Sequence, residues 1–512
     1  TESVGLLQGH GSNHGGGREG TRLGPFAVFL TLLLPLAASA EPWIAPGDPW
    51  LKADIQRLAD EGVITSPISA WPLSMGDIAE DVNRFRDDTE LSAPAASALV
   101  RIRDLAKYET RTKVWRTEAE VSFAEEPLLI RGFEDVPRGD EEGWASTDWT
   151  GDRFAIKVRA GFSDDPVDDQ DFRMDGSYAT MALGNWMVGA AVVDRWWGPG
   201  WAGSLILSNN ARPIPALVLE RNFSMPFESP WLSWIGPWST SVIWGQLESN
   251  RAVPNARVFG WRVNFRPLPS LEIGLLRTAQ WCGSGRNCDL DAFLRVLAGD
   301  TNVEDGEGLG SDEANQLAGY DARWLSPIGD LPYAVYGQLI GEDEAGGFPS
   351  RYMGMGGIEF WGRSDALKSD WHAYLEISDT TCQFYEESKR FNCAYNNGSY
   401  PTGYRYKGRS IGYSTDNDAR TVTAGVLARH DKYGKWHVTA KYAELNRGGA
   451  ADDRNTVTAT PEDMLDVSVT HSRDTRFGKL DLGVGVQQLD DKVANTDSTD
   501  VRVFVRLTQK FG

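Results

Sequence analysis

From about residue 111 onward the chain alternates apolar and polar positions with a period of two. Trp115, Thr117, Ala119, Val121 and Phe123 make a mostly apolar side, with Arg116, Glu118, Glu120 and Ser122 between them. Phe154, Ile156, Val158, Ala160 and Phe162 stand likewise against Arg153, Lys157 and Arg159, and Phe259, Trp261, Val263 and Phe265 against Arg262, Asn264 and Arg266. Side chains of a strand point alternately to its two faces, so these segments predict strands with one apolar and one charged face. The charged faces are too polar for a dry core. A soluble sandwich alternates as well, so the pattern alone leaves sandwich and membrane barrel open. Residues 48–108 have a helical period instead. Asp48 caps a first helix with Pro49 at its first position, Leu51, Ile55 and Leu58 share a face, and Gly62 ends it. Ser74-Met75-Gly76-Asp77 opens a second helix carrying Ile78, Val82 and Phe85, and Leu99, Ile102 and Leu105 indicate a third. Three short helices bury little by themselves and are expected to lean on something larger.

The two ends of the chain favour the barrel. Arg18 and Arg22 precede an apolar run from Leu23 to Leu36 that finishes in Ala38-Ser39-Ala40. Pro25 and Pro35 interrupt it and it is short of the ~20 residues of a spanning helix, so it reads as a secretory signal peptide cleaved after Ala40. Residues 1–40 are therefore leader and signal, 41–110 a helical periplasmic plug, and 111–512 a barrel. Val501, Val503, Val505, Leu507, Gln509 and Phe511 form an alternating terminal strand, opposed by Arg502, Arg506 and Lys510. It resembles the carboxy-terminal strand of outer-membrane proteins, with Gly512 following where that pattern finishes on the aromatic. At about 22 residues per strand and connection, the roughly 400 residues of this region hold about 16 to 18 strands. The expectation is an all-β transmembrane barrel of antiparallel strands with a small N-terminal α-helical bundle, in a Gram-negative outer membrane.

Charge and cysteine usage narrow the partners. The charges before Glu41 cancel, so the net charge of −21 belongs to the exported chain and argues against nucleic acid. The four cysteines form two local pairs, predicting disulfides Cys282–Cys288 and Cys382–Cys393 in an oxidising compartment; their spacing lacks the knuckles of a structural zinc site. Acidic segments at 164–171, 300–307 and 342–344 read as solvated loops, and Asp305 stands where a calcium loop needs glycine, so no metal is expected. Beyond the leader the histidines are His372, His430, His437 and His471, without a metalloprotease pattern or a nucleophile elbow; no cofactor or catalytic set is expected.

Twenty tryptophans are the stronger signal. A flat indole covers the apolar face of a sugar while amides and guanidiniums pair with its hydroxyls, whereas rings at a membrane rim need no ligand. Trp231, Trp234 and Trp238 read as such a girdle. Trp196, Trp197, Trp201, Asn209, Asn210 and Arg212 are the candidate ligand-facing or lumen-facing set.

The stretch Asp194-Arg195-Trp196-Trp197-Gly198-Pro199-Gly200, followed by Ser204 to Pro213, resembles the signature of the capsule assembly protein Wzi family. The likeness extends to Trp50 to Ile55, Trp71 to Ser74, Gln280 to Gly283, Gln316 to Asp321, Gly341 to Glu344 and Gly403 to Tyr406. It implies an outer-membrane barrel of about eighteen strands plugged by a helical bundle. It also implies a non-enzymatic surface lectin that binds capsular polysaccharide or exopolysaccharide and helps assemble or retain it. The implied partner is that polysaccharide, with outer-membrane lipid around the barrel; a structural partner of the polysaccharide export channel that binds no glycan is a separate, third reading. A substrate-selective porin is the alternative, because arginines and lysines recur on faces that line a lumen.

Overall fold

The computed structural model describes residues 43–86, 89–164, 166, 168, 170–298, 314–329, 331–345, 348–449 and 454–511. The leader, the signal segment, residues 300–307 and Gly512 lie outside them. Among the described residues, antiparallel strands from Trp115–Glu125 to Thr496–Phe511 form one closed barrel. Phe172–Arg173 and Ser177–Leu183 both pair with Phe154–Ser163 and count as one interrupted strand, which makes eighteen. Each strand pairs with its neighbour in sequence, and the last closes on the first, from Val503 opposite Glu125 to Phe511 opposite Thr117. Closure removes the unpaired edges that a bilayer would leave without hydrogen-bond partners.

The alternation read from the sequence becomes a difference between faces. Trp115, Val121, Phe123, Phe154, Val158, Phe162, Leu275, Val484 and Val503 are exposed on the outer wall. Arg262, Asn264, Gln338, Glu359 and Glu376 point inward and are buried. The inner face is thus as charged as the sequence indicates and yet packed, because other parts of the chain fill the ring. Segment 342–344 corrects a sequence expectation: it belongs to the strand Tyr333–Ala345, where Asp343 and Glu344 pair with Ser350 and Pro349. The ladder of the hairpin outweighs the acidic composition that suggested a loop.

Connections at one end of the barrel are mostly short, at 184–185, 269–270, 365–368, 431–433 and 476–477, apart from 222–237. At the other end most are long, at 126–140, 193–215, 282–313, 380–419 and 446–461, while 346–347 and 492–495 are short. We call these the turn end and the loop end. In outer-membrane barrels short turns face the periplasm and long loops face outward.

Three helices, α1 (Pro49–Asp60), α2 (Met75–Arg84) and α3 (Ala93–Glu109), precede the first barrel strand. Asp48 accepts hydrogen bonds from the amides of Trp50 and Leu51, and the Ser74 hydroxyl accepts one from Asp77, satisfying donors that a helix start leaves free. Ile55, Leu58, Ile78, Val82, Leu99 and Ile102 form the bundle's own core. Its polar side meets the inner wall. Arg57 donates to the carbonyl of Trp371, Arg429 pairs with Asp54 at 2.8 Å, and Arg323 forks onto Asp60 at 2.7 and 2.9 Å. Further along, Glu272 accepts from the amides of Ile68 and Ser69, and Arg266 donates to the carbonyls of Ile64 and Ala59.

Candidate functional site

The segment 193–215 leaves the strand Trp186–Val192 and turns into the ring before rejoining it at Ala216–Arg221. There it meets the N-terminal region edge to edge, Trp196 opposite Trp71 and Trp197 opposite Ala70. The Gly198 amide donates to the Ser69 carbonyl at 2.9 Å. Small residues let the segment pack against 380–419 as well. At Gly203 an added Cβ would fall 1.9 Å from the Tyr413 ring, so only glycine lets the ring lie there.

The structure places all six candidate residues in the interior, each with partners from this chain. Trp196 donates through its indole to the Gly200 carbonyl, and Trp197 packs in the core with Leu205 and Ile206. Trp201 is the most connected: its indole donates to Glu359 at 2.7 Å, its amide donates to Glu376 at 2.8 Å, and its ring stacks on Tyr374. The Asn209 amide donates to the Phe133 carbonyl and that of Asn210 to the Ser410 carbonyl. Arg212 forks onto Asp175 at 2.8 and 2.9 Å and reaches Asp168. The structure therefore brings Trp196, Trp197 and Trp201 together around the plug, and sets Asn209, Asn210 and Arg212 toward the loop end.

Lys52 escaped the sequence reading. It sits on α1, 4% exposed, with its ammonium group donating to the carbonyls of Pro199 and Gly200. The same group lies 4.4 Å from the centroid of the Phe133 ring and 4.5 Å from that of Trp201. Burial pushes the ammonium down to about 7, against the pull of Glu359 and Glu376. Around it Glu359 also accepts from Arg323 at 2.5 Å, and His372 lies 3.1 Å away. One lysine thus ties the helical bundle, the 193–215 segment and two wall carboxylates into one network.

The strand arginines proposed to line a lumen are largely committed to partners. Arg262 forks onto Asp321 at 2.6 and 2.9 Å, Arg502 pairs with Asp466, and Arg506 pairs with Asp481 at 3.0 Å and Asp135 at 3.2 Å. Segment 380–419, cross-linked near its start by the Cys382–Cys393 disulfide, fills the loop end with buried Tyr395, Tyr400, Tyr404 and Tyr413. The second disulfide joins Cys282 to Cys288, so both pairings are those the spacing predicts. Of the predicted girdle, Trp231 and Trp234 are exposed in the 222–237 connection at the turn end, and Trp238 begins the next strand.

Open space remains at the loop end. A groove of about 520 Å³ runs between the end of the first strand with the connection 126–140, the last two strands and Arg409 of segment 380–419, lined by Glu126, Arg138, Asp140, Arg409, Gln487 and Arg502 among others. Carboxylates, guanidiniums and an amide offer both acceptors and donors, the set that hydroxyl-rich ligands need. No periodic pattern marks it, because its residues come from four separate parts of the chain.

Residues 111–502 match the family model of the capsule assembly protein Wzi. An uncharacterized 55.8 kDa protein in the cps region of Klebsiella pneumoniae is 31% identical over 369 residues, covering 70% of each chain. A solved barrel from Escherichia coli, described as an outer-membrane protein involved in group 1 capsule assembly and as carbohydrate-binding, aligns at a TM-score of 0.78. It is 26% identical and the alignment covers 91% of this chain and 99% of that one. Sequence and architecture agree: this chain belongs to the capsule assembly protein Wzi family.

Proposed function

We propose that this outer-membrane barrel binds capsular polysaccharide or exopolysaccharide at its loop end and helps retain it on the cell surface, without conducting solutes and without a catalytic step. The observation that carries the reading is the occupation of the ring from both sides. The helical bundle enters from the turn end and segments 193–215 and 380–419 from the loop end, and they meet at Lys52, Trp201 and Asn210. A porin needs a wetted passage lined by free charges. Here the inward arginines named above are spent on carboxylates and carbonyls, which leaves the outer loops as the surface on offer. The family relationship supports the same reading, since the Escherichia coli relative is described as carbohydrate-binding.

In this proposal the groove beside Glu126, Arg138, Arg409 and Arg502 contacts the glycan. Trp196, Trp197, Trp201, Asn209, Asn210 and Arg212 hold the loops in place beneath it. Binding of the purified, detergent-solubilised barrel to the host's own surface polysaccharide, with single-channel conductance recorded on the same preparation, tests the function. Binding with negligible conductance is expected; conductance without binding would replace the lectin by a porin. Arg409→Gln should weaken binding while leaving the barrel folded, and unchanged binding would move the contact elsewhere on the loop end.

A further inference from the structure

The connection 282–313 differs from the other long loops in direction. After the Cys282–Cys288 disulfide it forms α4 (Leu290–Ala298), which lies on the outside of the barrel. Ala292 and Val296 are each 1% exposed. Phe293 sits among the rings of Trp244, Phe259 and Trp281, with centroids 4.6, 5.4 and 5.0 Å away. Those rings occupy the outward positions of their strands: Phe259 and Trp261 alternate with inward Arg262 and Asn264. Both helix ends are fixed. Asp289 accepts from the Ala292 amide at 2.8 Å, and Arg277, on the outer wall, donates to the carbonyls of Val296 and Leu297 at 2.8 and 3.2 Å. The face turned away from the barrel shows Leu290 at 70%, Leu294 at 53% and Leu297 at 39% exposure.

We infer that α4 is an interfacial helix that seats Leu290, Leu294 and Leu297 among the acyl chains of the outer-leaflet lipid. Three observations favour this occupant. The helix continues the exposed apolar wall, where Leu275 and Tyr320 stand on the strands beneath and beside it. At the opposite end of the same strands, Trp231 and Trp234 are exposed and Trp234 meets the outward Phe265 edge-on, so this part of the wall has an apolar or aromatic fixture at each rim. On the strand Arg257–Leu268 the two fixtures meet outward rings six positions apart, Phe259 under α4 and Phe265 against Trp234. At ~3.4 Å per residue and ~40° tilt this is a rise of ~16 Å, so both fit within one hydrocarbon layer of ~30 Å. A second copy is a poor occupant, since three leucines on a nine-residue helix fall far short of the ~800 Å² per partner of a stable interface. A short helix with an apolar face suits the boundary between headgroups and acyl chains.

All four cysteines are paired, so one added cysteine carries one spin label. Leu294→Cys, labelled in the full chain in phosphatidylethanolamine/phosphatidylglycerol vesicles, is compared with Leu275→Cys on the wall and Glu387→Cys in an exposed loop. Relaxation by oxygen relative to a water-soluble nickel chelate should be severalfold higher at 294 than at 387 and close to that at 275. A ratio at 294 equal to that at 387 would overturn the inference. So would spin–spin broadening at low protein-to-lipid ratio, which would assign the face to a second copy. Leu290→Cys, one turn away on the same face, repeats the measurement should the first variant not assemble.

Discussion

The inner and outer faces of the barrel belong to the same strands and follow opposite rules. Inside, Arg262, Glu272, Arg323, Glu359 and Glu376 are buried and hydrogen-bonded to other parts of the chain. Outside, valines, leucines and aromatics stand exposed, which only an apolar solvent makes stable. Burial alone therefore does not identify the core of this protein. What distinguishes the faces is whether neighbouring protein or lipid supplies the partner, and substitutions should respond accordingly.

The largest difference is expected where a buried charge loses its counterpart. Arg323→Met leaves Asp60 and Glu359 without their guanidinium in the interior and should cost about 3–5 kcal/mol in a urea titration of the detergent-solubilised protein. A loss below about 1 kcal/mol would mean that water reaches this network. On the opposite face, Val484→Arg introduces a charge into the apolar wall. It should cost roughly 2–4 kcal/mol when folding is measured into bilayers, and less in detergent where the belt adapts. Trp201→Phe keeps the ring on Tyr374 but removes the indole donor to Glu359, for a loss of about 1.5–3 kcal/mol with the barrel still closed.

The last test is a slope with pH. The native chain sheds the Lys52 proton near 7, whereas the unfolded chain holds it to about 10.5. Between those values the unfolded state binds more protons, so this residue makes stability rise with pH across that window and adds nothing to the slope below it. Lys52→Met should flatten the rise in Tm between pH 7 and 10 relative to the unsubstituted protein. An identical slope in both would show that Lys52 titrates as an exposed lysine does.

Much of the frame is legible because its causes are local. Asp48, Pro49 and Ser74 mark helix starts by the hydrogen bonds they can make, and alternation around Phe154 or Phe259 shows which side chains share a face. The interior arrangement is not legible that way. Lys52 on a helix reads as solvated until the ring encloses it. Trp196 and Trp197 show no period, because their strand partner lies in the N-terminal region. The outer helix escapes for a different reason: Leu290, Phe293, Leu294 and Leu297 have helical spacing, but the flanking cysteines and acidic residues suggest a loop. The groove at the loop end is assembled from residues far apart in sequence, so no local pattern carries it.

The pairing of Thr496–Phe511 with Trp115–Glu125 also constrains biogenesis. The plug helices come before every strand of the ring and end up within it, so a sheet that closes around a finished bundle needs no later threading. The seam between first and last strands is then the final ladder to zip, and until it does both edges stand open to other chains. Export from the amino terminus would deliver the bundle first and the sealing strand last, the order in which the bundle can serve as a mandrel. A chain stalled before Thr496 would present an unfinished cylinder with its filling in place.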